Sequence, residues 1–429
     1  MDLNISKPLT LPCGLTLPNR LIKSALAESW ADKDRLPSKG LIEAYGTWAE
    51  GGWGMVVTGN VMVDETHIST PEDVVLNRSL PREVALKRWK EWAASCNKNG
   101  TPTVVQINHP GRQSISWAGT NGLFGKTIAP SAIPLDLGPG LISRAATAAL
   151  FGTPREMNQD DIDGVVAGFV ETAQLVATAG FAGVQLHAAH GYLLAQFLSA
   201  KSNQRTDAYG GSPAKRAKII VDIIHAMRDS LPKGFCIGIK FNSTDHQSPQ
   251  ELQDCIEQLQ AITDAGVDFL EVSGGTYEAP TMLVESFKNK AASTSKREAF
   301  FLDFAKAIRN KFPGVPLVVT GGFRTRSGME EAVREESCDL VGLGRPAIMA
   351  PSLPVSVVFN PEVKDKDAKL YVRRVASPWI ARVLGLSSAI AGSAEVVWYQ
   401  EELHKFIAQS GLTGISTTLG WVVSTVFRG

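Results

Sequence analysis

Cysteine is scarce and scattered. Five residues, Cys13, Cys96, Cys236, Cys255 and Cys338, are spread over 429 positions, and no two are spaced as CxxC. That argues against a zinc site, an iron–sulfur cluster or a disulfide scaffold, and an odd, dispersed set fits a reducing, cytoplasmic compartment. Net charge is absent as well, because 43 Lys+Arg balance 43 Asp+Glu. No broad electrostatic footprint for nucleic acid or an anionic membrane is therefore expected. The opening stretch MDLNISKPLTLPCG has no apolar h-region, so no signal peptide is expected. One uncharged run, from Phe406 to Phe427, is long enough to cross a bilayer. It carries Gln409, Ser410, Ser416, Thr417, Thr418, Ser424, Thr425 and three glycines. A spanning helix is predominantly apolar, so this run is expected to be a packed C-terminal extension, with no membrane partner.

The composition, 44% hydrophobic and 20% charged, is that of a globular chain long enough for one large domain with additions. Eight short apolar runs recur, at 21–27, 55–61, 103–108, 183–187, 236–241, 269–273, 317–320 and 340–343. Each is continuous rather than alternating, the pattern of a strand buried on both faces. Helix-period stretches lie between them, at 38–50, 81–97, 213–230, 249–264, 296–311 and 327–336. Another begins at Asn158, a cap followed by Asp160 and Asp161, and ends at Gly180. Its apolar face holds Ile162, Val165, Phe169, Ala173 and Val176.

Strand–helix alternation repeated eight times is the sequence form of an α/β (β/α)8 TIM barrel. A doubly wound sheet is the weaker reading, since no GxGxxG opens the first βα unit. The Gly- and Pro-rich stretch 109–154 is a long capping excursion after strand 3. The chain divides into a barrel, 1–350, and a C-terminal helical extension, 351–429, which includes a helix at 396–406.

Active sites of such barrels lie at the C-terminal strand ends. Strands seven and eight end in Gly321-Gly322 and Gly344-Arg345-Pro346. Glycine lets backbone N–H groups approach an anion, Arg adds a fork of donors, and phosphate sites commonly sit here. His187 and His190 stand three apart at the end of strand four. No third His or Cys sits at zinc-ligand spacing, so they read as two donors aimed at one substrate oxygen. Tyr192 beside them can supply a proton. Gln106 offers both donor and acceptor to a heteroaromatic edge, and Lys240 is a cation emerging from an apolar strand. A ring with a mixed edge and a phosphate describes FMN laid across the barrel mouth.

LPNRLIKSALAE, GGWGMVVTGNVMV, VVQINHPGRQ, GVQLHAAHGYLLAQFLSAKSNQRTDAYGGS, GIKFNSTD, VVTGGFRT and DLVGLGRPAI run in order from Leu17 to Ile348. Through them the chain resembles the Old Yellow Enzyme family of NAD(P)H:flavin oxidoreductases, in its fungal branch. The resemblance implies an FMN barrel that takes hydride from NADPH or NADH and reduces the C=C bond of α,β-unsaturated carbonyl compounds. It places Gln106 and Lys240 on the flavin ring and Ala25, Ala27 and Asn60 along its other edge. Gly322, Gly344 and Arg345 fall on the phosphate, His187 and His190 on the substrate oxygen, and Tyr192 on the protonated carbon.

Three positions depart from the family pattern. Ala27 stands where Cys or Thr is frequent, Ala25 where proline is, and Asn60 where Ala or Gly is. A fungal secondary-metabolite substrate is expected, taken by a monomer or homodimer. Dehydrogenation, isomerisation or ring-opening of such a compound on the same barrel is the alternative.

Overall fold

A computed structural model describes residues 2–120, 122, 125–137, 140–242, 248–273, 304–373, 375 and 388–409. Eight parallel strands close into a ring: β1 Leu21–Lys23, β2 Met55–Val57, β3 Thr103–Asn108, β4 Gly183–Ala188, β5 Cys236–Asn242, β6 Phe269–Ser273, β7 Leu317–Thr320 and β8 Leu340–Leu343. Each pairs with its sequence neighbour, and β8 returns to β1 through Gly342↔Ile22. All but one strand residue are buried, as expected where helices cover one face and the lumen the other.

The predicted runs 21–27 and 55–61 prove too long. Beyond Lys23 the chain turns out over the mouth, and Val61–Met62 leaves β2 to pair with the far end of β3.

The barrel helices are α1 Lys39–Glu50, α2 Arg82–Cys96, α3 Gln159–Ala179, α4 Pro213–Ser230, α5 Pro249–Asp264, α6 at 304–311, α7 Arg326–Arg334 and α8 Arg345–Met349. Their starts follow capping chemistry. Asn158 and Asp161 form a reciprocal capping box for α3, Ser248 and Glu251 do so for α5, and Ser38, Ser212 and Thr325 cap α1, α4 and α7. Gly180, at φ 99°, ends α3 in the left-handed conformation. The first half of the helix expected at 296–311 lies outside the described residues. Among the described residues α3 is the one helix long and apolar enough to cross a membrane, and it spends that face on the barrel.

The two barrel ends differ. At the N-terminal end a hairpin, Leu9–Thr10 with Thr16–Leu17, lays Leu11 and Leu17 against Ile22, Met55, Val57, Val104, Phe269, Val318 and Leu340. Gly238 makes this packing possible, since a Cβ there would lie 2.1 Å from the Phe269 ring. Chemistry is left to the opposite, C-terminal end.

Three further segments frame that mouth. The excursion contains a helix, Leu141–Leu150, and a strand, Ile128–Ala129, paired with Arg155–Glu156. Arg205 ties it down by donating to Pro130 O at 3.0 Å and Met157 O at 2.7 Å. The extension after 350 is anchored by the buried Arg326 guanidinium, which donates to Val357 O, Asn360 O and Val363 O and pairs with Asp365. Its helix, α9 Ser388–Gln409, reaches back to the mouth. Gln400 Nε2 donates to Ala27 O at 2.8 Å and Ser29 Oγ at 3.0 Å, and His404 stacks on Trp30 at 4.0 Å. The run expected to pack as an extension, from Phe406 onward, lies mostly outside the described residues.

Candidate active site

The end of β4 carries the centre of the site. The chain leaves the strand through two consecutive left-handed residues, His190 at φ 58° and Gly191 at φ 75°. A non-glycine residue there costs about 1–3 kcal/mol, so the surroundings must hold it. Asn242 of β5 does so, its Oδ1 accepting from His190 N at 3.1 Å. The turn brings His190 back over His187 and sets Tyr192 edge-on to the His187 ring, at 4.8 Å between centroids.

Both imidazoles are neutral. Burial, then the charges of His190 and Lys240, hold His187 far below the usual histidine range. Burial and Lys240 push His190 down to about 3. A neutral imidazole has one donor and one acceptor, so the partners fix the tautomers. Asn60 Oδ1 only accepts, hence His187 Nδ1–H donates to it at 2.8 Å. His187 Nε2 then accepts from His190 Nδ1–H at 2.9 Å. His190 Nε2 in turn accepts from Ser273 Oγ–H at 3.2 Å. At the other end Asn60 Nδ2 donates to Tyr192 Oη at 3.4 Å. The three expected residues meet, but the histidines form a hydrogen-bonded pair rather than two parallel donors. One N–H, on His190 Nδ1, can be turned to a substrate without changing a tautomer.

Below them a polar chain crosses the lumen. Gln106 Nε2 donates to Gln185 Oε1 at 2.7 Å, and Gln185 Nε2 donates to Glu271 Oε2 at 2.6 Å. Glu271 Oε1 accepts from Thr320 at 2.8 Å and pairs with Lys240 at 3.0 Å. Thr320 also meets Ser24 Oγ at 2.9 Å. The Lys240 cation is thus balanced by a buried carboxylate. Behind β1 and β2, the buried Lys23 bonds Glu28, Tyr45 and Val57 O, and Tyr45 Oη accepts from Gly59 N at 2.8 Å. This braces the turn that carries Asn60.

FMN fits these residues. Gly321 and Gly322 are left-handed at φ 117° and 82°, and a Cβ on Gly321 would meet nothing within 4 Å. That open backbone suits a phosphate. Gln106, with Oε1 and one N–H left over, and Lys240 suit a ring edge that both donates and accepts. Gly322, Gly344 and Arg345 would hold the phosphate, and Gln106 and Lys240 the ring. Ala25, Ala27 and Asn60 lie along the β1 and β2 turns. Arg345 is not idle here, because its guanidinium pairs with Glu395 of α9. Ala27 O is already taken by Gln400.

Sequence reasoning missed Gln185, Glu271 and Ser273 as site residues. The signal was present: on buried strands, polar residues two apart face the same side, as in Gln185/His187, Lys240/Asn242 and Glu271/Ser273. It also missed a second cluster, Asp64, His67 and His109, whose ligand-capable atoms lie within 4.8 Å of one another.

Such a barrel, with neutral histidines, a tyrosine and an open glycine cradle at its C-terminal mouth, defines a flavin-dependent oxidoreductase of the TIM-barrel class. The chain belongs to the NADH:flavin oxidoreductase / NADH oxidase family, whose model matches residues 4–360. It is similar to the NADH-dependent flavin oxidoreductase iccE of Talaromyces variabilis, 51% identical over 96% of this chain and 99% of that one. It is 54% identical to the NADH-dependent flavin oxidoreductase iliE of Neonectria sp. (strain DH2) over 90% of this chain. There it spans about half of the relative, 52% of its length. Among solved structures, the Old Yellow Enzyme homologue from Zymomonas mobilis shares the fold, with a TM-score of 0.68 and 21% identity over 84% of this chain and 94% of that one. The protein is thus an oxidoreductase of this FMN-binding, NADH:flavin family.

Proposed function

We propose that the protein reduces the C=C bond of an α,β-unsaturated carbonyl compound in a fungal secondary-metabolite pathway, in the cytoplasm. The observation that carries this reading is the neutral His187–His190–Tyr192 cluster at the barrel mouth, in which His187 and Tyr192 are buried and His190 is half-buried. Bound FMN would supply the hydride, taken from NADH or NADPH and passed to the β-carbon. His190 Nδ1–H swings from His187 Nε2 to the substrate carbonyl oxygen and offsets the negative charge that develops there. Tyr192 gives its phenolic proton to the α-carbon. Burial of His187 and Tyr192 limits the water that can compete at the mouth.

A second reading is favoured by one observation. Ser273, His190, His187, Asn60 and Tyr192 form an unbroken hydrogen-bond relay. Such a relay can remove a proton from one carbon and return one to another, an isomerisation without net use of NADH.

Anaerobic NADH addition followed by cyclohexenone separates the two. The visible flavin absorption should bleach with NADH and return with the enone. Bleaching that the enone does not reverse, with a candidate metabolite isomerised at no cost in NADH, would overturn the first reading in favour of the second.

A further inference from the structure

The reaction at the mouth uses none of the cysteines, yet the opposite end of the barrel brings two of them together. Cys13 lies in the turn of the floor hairpin, and Cys236 opens β5. Their sulfurs and the Asp268 carboxylate all lie within 4.8 Å of one another. Cys96, Cys255 and Cys338 are buried, and burial raises the thiols of Cys96 and Cys338. Cys13 differs. It is half-buried, on the wall of a cleft of about 300 Å3 that Arg228, Lys233 and Asp268 also line.

Two sulfurs and a carboxylate have the composition of a metal site, but the carboxylate is already engaged. Asp268 Oδ2 accepts from Ile237 N and from Arg228 Nη2, both at 2.7 Å. That guanidinium opposes a second cation, so the sulfurs read as thiols rather than ligands. The Cys236 S–H donates to the Cys13 sulfur. This bond, helped by Arg228, holds the Cys13 thiol below the usual cysteine range against the opposing effect of burial. The same bond, together with burial, raises Cys236 well above it. One sulfur is thus a reachable nucleophile and the other a protonated, shielded neighbour, the roles of an attacking and a resolving cysteine.

We propose that Cys13 and Cys236 form a hydroperoxide-responsive redox pair that closes into a disulfide clamp between the floor hairpin and β5. The Cys13 thiolate attacks one peroxide oxygen. An S–O bond forms, the O–O bond breaks, and hydroxide leaves, taking up the proton that the thiol had released. The Cys236 sulfur then attacks the Cys13 sulfenic acid. An S–S bond forms, the S–O bond breaks, and the hydroxyl leaves as water with the Cys236 proton. The two thiols give up two electrons, and hydrogen peroxide is reduced to two waters.

The hairpin supplies the movement that this bond needs, since a disulfide sets its sulfurs about 2.0 Å apart. Cys236 is fixed. Its N donates to Ala182 O at 3.0 Å, and a Cβ on Gly183 would lie 2.6 Å from the Cys236 Cβ. Cys13 is held less firmly, in a hairpin of two-residue strands whose turn closes through Gly14 N to Leu11 O at 2.8 Å. A single reversible pair suits a reducing compartment, where disulfides are transient.

The FMN-loaded protein, reduced and freed of reductant, is treated with hydrogen peroxide, unfolded in an alkylating agent and mapped by mass. Wild type should lose two of its five thiols, with the Cys13 peptide joined to the Cys236 peptide, and dithiothreitol should restore both. Cys236→Ser should trap a sulfenic acid on Cys13, read as its dimedone adduct. Cys13→Ser should keep all its remaining thiols. Retention of FMN shows that each variant is folded. The linked protein should also unfold at a higher denaturant midpoint than the reduced one, because the cross-link restrains the unfolded chain. Five intact thiols after peroxide, oxidised Cys13 with no bond to Cys236, or bonds only between chains would overturn the proposal. A linked protein with an unchanged midpoint would overturn the clamp.

Discussion

Two pairs of histidines stand at the ends of neighbouring strands, and their central acceptors differ. At the mouth, His187 bonds the Asn60 amide on one side and His190 on the other. Beside them, His67 and His109 are arranged around the Asp64 carboxylate. His67 Nδ1 lies 2.6 Å from Asp64 Oδ2 and His109 Nε2 lies 3.6 Å from it. His109 Nδ1 accepts from Gly111 N at 3.0 Å, so its proton must sit on Nε2, facing the carboxylate. Burial works to raise Asp64, yet the facing His109 and the bonded His67 hold it far below the usual carboxylate range. Each ring there has one role, His67 set by the Asp64 carboxylate and His109 by the Gly111 N–H. The cluster has the composition of a metal site, but His109 presents a proton where a metal needs a lone pair. It is a tie between the turn after β2 and the start of the excursion. At the mouth the partner is an amide that can be turned over, and the backbone carries left-handed strain. One acceptor atom separates a framework from a site that can exchange protons.

Substitutions test that contrast from either side. The largest effect falls on the mouth: His190→Ala removes the proposed donor to the carbonyl oxygen and should slow enone reduction by roughly a hundredfold or more. Stopped-flow oxidation of the reduced enzyme checks it, and an unchanged rate would remove His190 from the mechanism. On the framework side, Asp64→Asn should leave both half-reactions intact and lower stability by about 1.5–3 kcal/mol, the scale for hydrogen bonds to a charged group. Denaturant unfolding measures this. A loss of activity without a loss of stability would make the second pair part of the site.

The smallest effect is a pH dependence of stability. His190 at about 3 and His404, pushed by burial to about 4, lie below the ordinary histidine value of about 6.5. Unfolding therefore takes up protons, and the stability they contribute is full above about pH 6.5 and lost as pH falls toward 3–4. Asp73 works in the opposite sense. Burial raises it to about 6, so its contribution is full below the ordinary carboxylate value and lost as pH rises through about 6. Tm should fall from pH 7 to pH 4, and Asp73→Asn should make the fall steeper. A Tm that rises over that range would contradict the neutral assignment of the mouth histidines.

Much of this was legible in the sequence. Continuous apolar runs gave β3 through β8 to within a residue, because strands buried on both faces leave no alternation to misread. The Asn158 cap gave the start of α3, because the capping atoms are local, and helix periodicity gave the starts of α4 and α5. The floor hairpin was missed, its strands being two residues each. The helix Leu141–Leu150 was missed inside a Gly- and Pro-rich stretch. At the site, residue types and strand ends were visible, but partners were not. Asn60 and His187 are 127 positions apart, and Arg345 and Glu395 are 50 apart. Which atom faces which is decided by strand register and by α9 folding back, and neither leaves a local trace.

The most direct test of the central claim is the oxidative half-reaction of Tyr192→Phe. The reduced variant should react with cyclohexenone roughly a hundredfold more slowly than wild type, the lower end of what a general acid contributes, while NADH still bleaches its flavin at the wild-type rate. Equal loss in both halves, or none in either, would contradict the assignment of Tyr192 as the proton donor.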